Sequence, residues 1–299
     1  MSTTNNHTAT QALLVSLNFT LCRQSKQSKV EAKRSEDANN AHRGVCKSSY
    51  FYFQEEVGAV TNDALAELKS YMNAWRTAHN RLTRVWDSNN TRLLPATLVQ
   101  AYLEMDSKWK EGFPAKLAEF FEVYPDWQIT APHRMGALYE ASNFPSLEEC
   151  RNDISYEVTM IPLPEAEQWK RISIISPDLA HTMEESTNSK IAKAVEEARK
   201  QTWVDLFTPV EKIVSTLSKD KPKIYDSLIG NLTDILNLAP AFNLSGDQGM
   251  NQFIAETKAT LATINPDDLR NDPMVRASTC KKAEELLKKF GELGNRKFA

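Results

Sequence analysis

Residues 61–86, TNDALAELKSYMNAWRTAHNRLTRVW, decide the fold class. Leu65, Leu68, Met72, Trp75, His79, Leu82 and Trp86 recur at alternating spacings of three and four, the pattern of an a/d helical seam. Thr61, Asn62 and Asp63 offer the side-chain oxygens that cap a helix start. The spacing therefore predicts a long amphipathic helix that ends at an Asn89-Asn90 turn. A second helix is expected beyond it, with Pro95 in the first turn and a stripe of Leu98, Tyr102, Met105 and Trp109. Gly112 and Pro114 are expected to kink or split it before Leu117, Phe120 and Phe121 resume the stripe.

Outside this pair the period changes. Leu13, Val15, Leu17, Phe19 and Leu21 alternate with their neighbours, as do Ile154, Tyr156, Val158 and Met160, so both stretches read as half-buried strands. Val45 to Phe53 is the third strand candidate, and one small sheet can be built from the three. Residues 23–47 between them carry Arg23, Lys26, Lys29, Lys33, Arg34, Arg43 and Lys47 against Glu31, Glu36 and Asp37, which suggests a short solvated helix. Ser176-Pro177 is a cap and first-turn pair, and from there the chain reads helical to its end. Trp203, Leu206, Phe207, Val210, Ile213, Val214 and Leu217 make a wide apolar stripe, and Pro222, Pro240 and Pro273 divide the remainder into shorter helices. Residues 183–200 are poor in large apolar side chains, so they are expected to project as half of a coiled-coil arm. That arm would pair with another helix or a partner chain, leaving a homo-oligomer open.

The expected fold is therefore α+β and mainly α: a long-helix bundle with a coiled-coil-like arm and a small N-terminal β-sheet. Its expected divisions are a disordered tail at 1–11, a β-containing segment at 12–57 and a helical hairpin at 58–141. A strand with a Pro-rich connector at 142–175 and a helical region at 176–299 complete it.

Composition removes several function classes. The chain has 299 residues, a net charge of −3 and only 9 glycines, none closer than three positions apart. Gly-x-Gly phosphate loops are thereby excluded, and neither the P-loop pattern nor the GxSxG nucleophile elbow occurs. Cys22, Cys46, Cys150 and Cys280 are scattered singly, which fits reduced thiols in a cytoplasm better than a disulfide framework or structural zinc. Residues 12–21 are apolar enough to resemble a signal core. Met1 to Gln11 carries no Lys or Arg, however, so secretion is disfavoured. No run approaches the ~18 apolar residues of a membrane helix.

Candidate chemistry is sparse. His79 lies on the seam, where an imidazole can act as a pH switch or, more simply, as a hydrogen-bonded core residue. His181 with Glu184 and Glu185 has helical spacing for sharing a cation, but zinc helices use two histidines. The acidic pairs Glu55-Glu56, Glu148-Glu149 and Asp267-Asp268 point about 100° apart on a helix, and Asp267-Asp268 is expected to cap one. No catalytic residue, metal or cofactor is assigned. The aromatic group Trp109, Phe113, Phe120, Phe121, Tyr124 and Trp127 could stack bases, although helical spacing favours a core role. Basic clusters carry more weight, with Arg76, Arg81, Arg84 and Arg92 in one and Arg276, Lys281, Lys282, Lys288, Lys289, Arg296 and Lys297 in another. If a nucleic acid is bound, the expected contacts are Arg76, Arg84, Lys281, Lys282, Lys288 and Lys289, with Arg76 and Arg84 near one azimuth of a common helix.

Several segments together resemble one family: the 13–21 strand with the basic stretch after it, Val85-Trp86-Asp87 followed by Thr91-Arg92-Leu93-Leu94-Pro95, Asn143-Phe144-Pro145-Ser146-Leu147 leading to Val158-Thr159-Met160-Ile161-Pro162, and Asp226-Ser227-Leu228-Ile229-Gly230-Asn231-Leu232. The chain resembles a domain-of-unknown-function family of tailed phages and integrative elements over residues 12–290. It departs from that pattern at Val85-Trp86 and Asn90-Thr91, where the family has Pro-Trp and a glycine. The resemblance implies no activity. It implies a context in which such genes lie beside a MoxR/cobalt-chelatase-like AAA+ ATPase and a von Willebrand A-type protein. The expectation is a non-enzymatic adaptor or scaffold of a phage or mobile element in the bacterial cytoplasm, partnering that ATPase and not a membrane. A nucleic-acid-binding accessory protein of replication or recombination is the alternative.

Overall fold

The computed structural model describes residues 12–22, 25–27, 33, 37–38, 49–51, 64–136, 139–141, 145–172 and 174–295. The expected tail at 1–11 and the cap at 61–63 lie outside them. Strands β1 (Ala12–Thr20), β2 (Ser25–Gln27) and β3 (Ser49–Phe51) precede helix α1 (Ala64–Arg81). Strands β4 (Arg84–Val85) and β5 (Thr91–Pro95) then lead to α2 (Val99–Met135), α3 (Leu147–Asp153) and β6 (Ser155–Pro162). Helices α4 (Pro177–Leu217), α5 (Ser227–Phe242), α6 (Gln248–Thr260), α7 (Pro266–Asn271) and α8 (Pro273–Asn295) finish the chain. The architecture is α+β and mainly α.

The chain forms two compact units, one of Ser16–Asn80 with Tyr102–Thr159 and the other of Met1–Val15, Arg81–Ala101 and Met160–Ala299. In the first, α1 and α2 run antiparallel, and their register can be read from four successive rungs. Lys116 bonds Glu67 at 3.2 Å, Tyr71 Oη donates to the Trp109 carbonyl at 2.7 Å, Trp75 stacks on Trp109, and His79 Nδ1 meets Tyr102 Oη at 2.8 Å. Leu65, Leu68, Met72, Trp75 and His79 are all buried, as the seam predicts. Helix α1 nevertheless stops at Arg81, so Leu82 and Trp86 continue the spacing without continuing the helix. The chain turns there into a hairpin in which Arg84 opposes Leu93 and Val85 opposes Arg92. Asn90 supplies the left-handed residue of its turn, with φ of 61°, and the Asp87 carboxylate accepts from the backbone N–H groups of Asn89 and Thr91.

Helix α2 is not split at Gly112 and Pro114, although Pro114, Pro125 and Pro132 all lie inside it. Gly112 serves packing: a Cβ there would collide with Tyr71 Oη. Its absence lets the Tyr71 ring lie against α2 and the hydroxyl reach the Trp109 carbonyl.

The main sheet has the order β4-β5-β1-β6. Two expected strands are present in it, but the third is not, because β3 pairs antiparallel with β2 in a separate sheet. That pairing also places Ser25–Gln27 of the basic segment in a strand, whereas Lys33, Asp37 and Ala38 are helical and exposed, as expected of a short solvated helix. The hairpin strands fill the vacated positions.

In the second unit, Ser176 Oγ accepts from the Leu179 N–H and Pro177 occupies the first turn of α4, as expected. The stripe from Trp203 to Leu217 is buried against α5, α6 and α8 in the largest apolar cluster. Pro222 falls between helices and Pro273 opens α8, but Pro240 sits inside α5, just before its end. The upstream half of α4 does not project as an arm. Ile191, Val195 and Ala198 pack on Ala12, Leu14, Leu93 and Leu163, so one apolar side chain per turn suffices to seat it on the sheet. A 3-10 segment, Ala166–Arg171, folds back along it through Trp169 Nε1 to Thr187 Oγ1 at 2.9 Å and Lys170 to Glu184 at 2.9 Å.

Gly112→Ala should destabilise the protein by about 1–3 kcal/mol in urea unfolding, because overpacking against Tyr71 outweighs the ~1 kcal/mol propensity gain of Ala over Gly. Adding Tyr71→Phe, which removes the clashing oxygen, should recover part of the loss. A more stable single variant would contradict this role for Gly112.

Candidate functional site

Arginine is the residue type that ties the hairpin into the second unit. Arg84 on β4 is 8% exposed. Its Nη2 donates to Asp205 Oδ2 on α4 at 2.7 Å, its Nη1 to the Thr83 carbonyl at 3.0 Å, and its guanidinium carbon sits 3.6 Å from the centroid of the Phe242 ring on α5. Arg92 on β5 donates from Nε to Thr83 Oγ1 at 2.6 Å. Burial pulls both guanidinium groups below their usual range, and the Asp205 carboxylate opposes that for Arg84. Arg81 reaches Asp234 at 2.8 Å, with both side chains more than half exposed. Arg84 is thus a clamp joining the hairpin to two helices. The expected shared azimuth with Arg76 does not exist, because Arg84 belongs to a strand. Arg76 lies in the other unit, exposed, with Nη1 on Asn73 Oδ1 and its guanidinium 4.8 Å from the Phe19 ring centroid.

The four lysines of the candidate nucleic-acid contact share the exposed side of α8, but they are interleaved with acid. Lys289 Nζ lies 2.6 Å from Glu256 Oε1, and Lys281 Nζ lies 4.0 Å from Glu285 Oε1. Lys282 and Lys288 have no ion pair among the described residues.

His79 is 3% exposed and bonded to Tyr102, which is the core-histidine arrangement. One turn along α2, Asp106 is also buried and takes Lys110 at 2.7 Å. Burial and the Asp106 carboxylate push the Tyr102 phenol far above its usual range, so it stays protonated and able to donate. Trp75 Nε1 and Asp106 Oδ1 are buried with no hydrogen-bond partner among the described residues. The His79, Tyr102, Asp106 and Trp75 side chains are all buried. The six aromatics of α2 likewise belong to the core cluster.

His181 and Glu185 lie 3.5 Å apart on an exposed face, and no group of three potential metal ligands occurs among the described residues. Glu148-Glu149 belongs to a capping box: Ser146 Oγ accepts from the Glu149 N–H, and Glu149 Oε2 accepts from the Ser146 N–H at 2.6 Å. Asp267 and Asp268 stand in the first turn of α7, but the cap itself is Asn265. Glu55-Glu56 and most of 23–47 lie outside the described residues.

Two acids have tertiary partners that no local sequence pattern marks. Asp205 sits within an apolar stripe as the partner of Arg84. Asp247 caps α6 while accepting from Trp203 Nε1 at 3.1 Å and Arg199 Nη1 at 3.3 Å. An Asp just before Gln248-Gly249-Met250 is a legible cap signal; its tertiary partners are not. No family model, curated protein or solved structure matches the chain.

Arg84→Met should cost about 2–4 kcal/mol in chemical denaturation, since removing one partner of a buried pair strands the other. Arg84→Glu should cost more, by placing a second carboxylate beside Asp205. Arg76→Glu should change stability by under about 1 kcal/mol. Equal effects at 76 and 84 would argue against the clamp.

Proposed function

We propose that the chain is a non-enzymatic adaptor or scaffold of a phage or mobile element, acting in the bacterial cytoplasm with a AAA+ ATPase and a von Willebrand A-type protein. The observation that supports this reading is an apolar bend at the start of α4. The backfolded 3-10 segment and α4 enclose a turn that exposes Ile172, Ile174 and Leu179 to 42%, 91% and 48%. Single exposed apolar residues are ordinary, but three within eight positions of one bend make a compact anchor that costs hydration until a partner covers it. The buried polar groups of the α1–α2 core and the paired arginines support a binding role over a catalytic one.

The nucleic-acid reading rests on Lys282 and Lys288, the two α8 lysines of the candidate contact with no ion pair among the described residues. It calls for single-strand affinity that falls with salt at a log–log slope of about −0.7 per phosphate.

The test is co-purification with the neighbouring ATPase and von Willebrand A-type proteins at low salt. Wild type should retain at least one of them, and Ile174→Asp with Leu179→Ser should weaken binding at least tenfold with an unchanged melting temperature. Retention of neither protein would end the adaptor reading. Salt-dependent single-strand binding lost on Lys282→Glu with Lys288→Glu would replace it.

A further inference from the structure

Two arginines of the β4–β5 hairpin converge on one threonine. Arg84 Nη1 donates to the Thr83 carbonyl at 3.0 Å, and Arg92 Nη2 donates to the same oxygen at 3.4 Å. Arg92 Nε also donates to Thr83 Oγ1 at 2.6 Å. Guanidinium groups that share an acceptor are close neighbours, and like charges so placed repel unless an anion offsets them. The carboxylate at hand is Asp205, and both its oxygens are spent: Oδ2 takes Arg84 at 2.7 Å and Oδ1 takes Gln201 Nε2 at 2.8 Å. Arg92 has no ion pair among the described residues. Burial holds it below the usual range with no carboxylate opposing, while at Arg84 burial is opposed by Asp205 and reinforced by the Arg92 charge. The hairpin therefore sets two cations against one anion, whereas buried charge is ordinarily paired.

The way Arg92 is held leaves one side of it for use. Thr83 bonds the Nε–Nη2 side, and the Nη1–Nη2 end keeps N–H donors that have no acceptor among the described residues. Arg92 is partly exposed, and Val85, which opposes it across the hairpin, is 54% exposed, so this face meets water. A guanidinium fixed along one side is a preorganised fork, with little side-chain freedom left to lose when an oxyanion takes its end. Arg84 adds charge and not contacts, since its Nη groups are spent and its plane lies on the Phe242 ring.

We propose that Arg92, backed by the charge of Arg84, binds a phosphate group, either inorganic phosphate or a small phosphate monoester. Nη1 and Nη2 of Arg92 donate to two of its oxygens, and the remaining oxygens face solvent. A phosphate dianion gains about twice the attraction that a carboxylate draws from the same two cations, so the site prefers phosphate. It shares no residue with the apolar bend or with the α8 lysines, so its test and theirs fail separately.

The test follows the Arg92 Nε–H resonance of the full chain by NMR while inorganic phosphate, methyl phosphate or acetate replaces chloride at constant ionic strength. Both phosphates should shift that resonance saturably, with acetate binding about tenfold more weakly. Tighter binding of methyl phosphate than of inorganic phosphate would assign the site to monoesters, and the reverse to the free ion. In calorimetric titration Arg92→Lys, which keeps the charge and loses the planar fork, should weaken phosphate about tenfold. Arg92→Gln should abolish binding, and Arg81→Gln, at the exposed pair with Asp234, should leave it unchanged. The wild-type titration decides even if a variant at position 92 folds poorly. An Arg92 resonance that phosphate does not move would overturn the proposal. So would acetate binding as tightly as phosphate, or a folded Arg92→Gln variant that keeps the wild-type affinity.

Discussion

Tyr71 can donate to the Trp109 carbonyl only because position 112 has no Cβ, and this close approach sets the register of the α1–α2 pair. Once the phenol lies against α2, Trp75 falls on Trp109, which Tyr71 also contacts, and His79 falls on Tyr102. A slip by one turn would leave Tyr71 facing a Cβ and His79 without the phenol. The aromatic core that includes Phe19, Phe113 and Tyr156 is built around this register. Burying such rings supplies most of the stabilisation, while the polar rungs select among ways of burying them.

The second unit meets the same problem with a different device. Its long helix α4 is sparse in apolar side chains upstream and rich in them downstream, so it is seated on the sheet by Ile191 and Ala198 and on the helices by Trp203 to Leu217. Buried charge holds the junctions. Arg84 reaches Asp205 and Phe242, while Arg199 and Trp203 converge on Asp247, which also caps α6. An arginine can take such a position because its planar group hydrogen-bonds at its edge and stacks on its face, whereas a lysine does one at a time.

The fold separates its reactive polar groups from its exposed apolar ones. The groups with chemistry to offer, His79, Tyr102, Asp106 and Arg84, lie inside and are held by neighbouring side chains. Ile172, Ile174 and Leu179, three of the exposed large apolar side chains, fall within one short stretch at the start of α4.

Periodicity determined much of the secondary structure because it reflects which side chains must leave water together. The seam at Leu65 to His79, the alternation in β1 and β6, the Ser176-Pro177 start and the stripe from Trp203 to Leu217 all follow from local spacing. The mainly helical α+β class follows from them. Tertiary structure decided where spacing is ambiguous or blind. Leu82 and Trp86 keep the seam's rhythm, yet hairpin pairing ends the helix at Arg81. Gly112 and Pro114 look like breaks until Tyr71 is seen to need the missing Cβ. The candidate site was least legible of all. An arginine counted as exposed charge acquires meaning only through Asp205 and Phe242, and contacts between residues so far apart leave no local pattern.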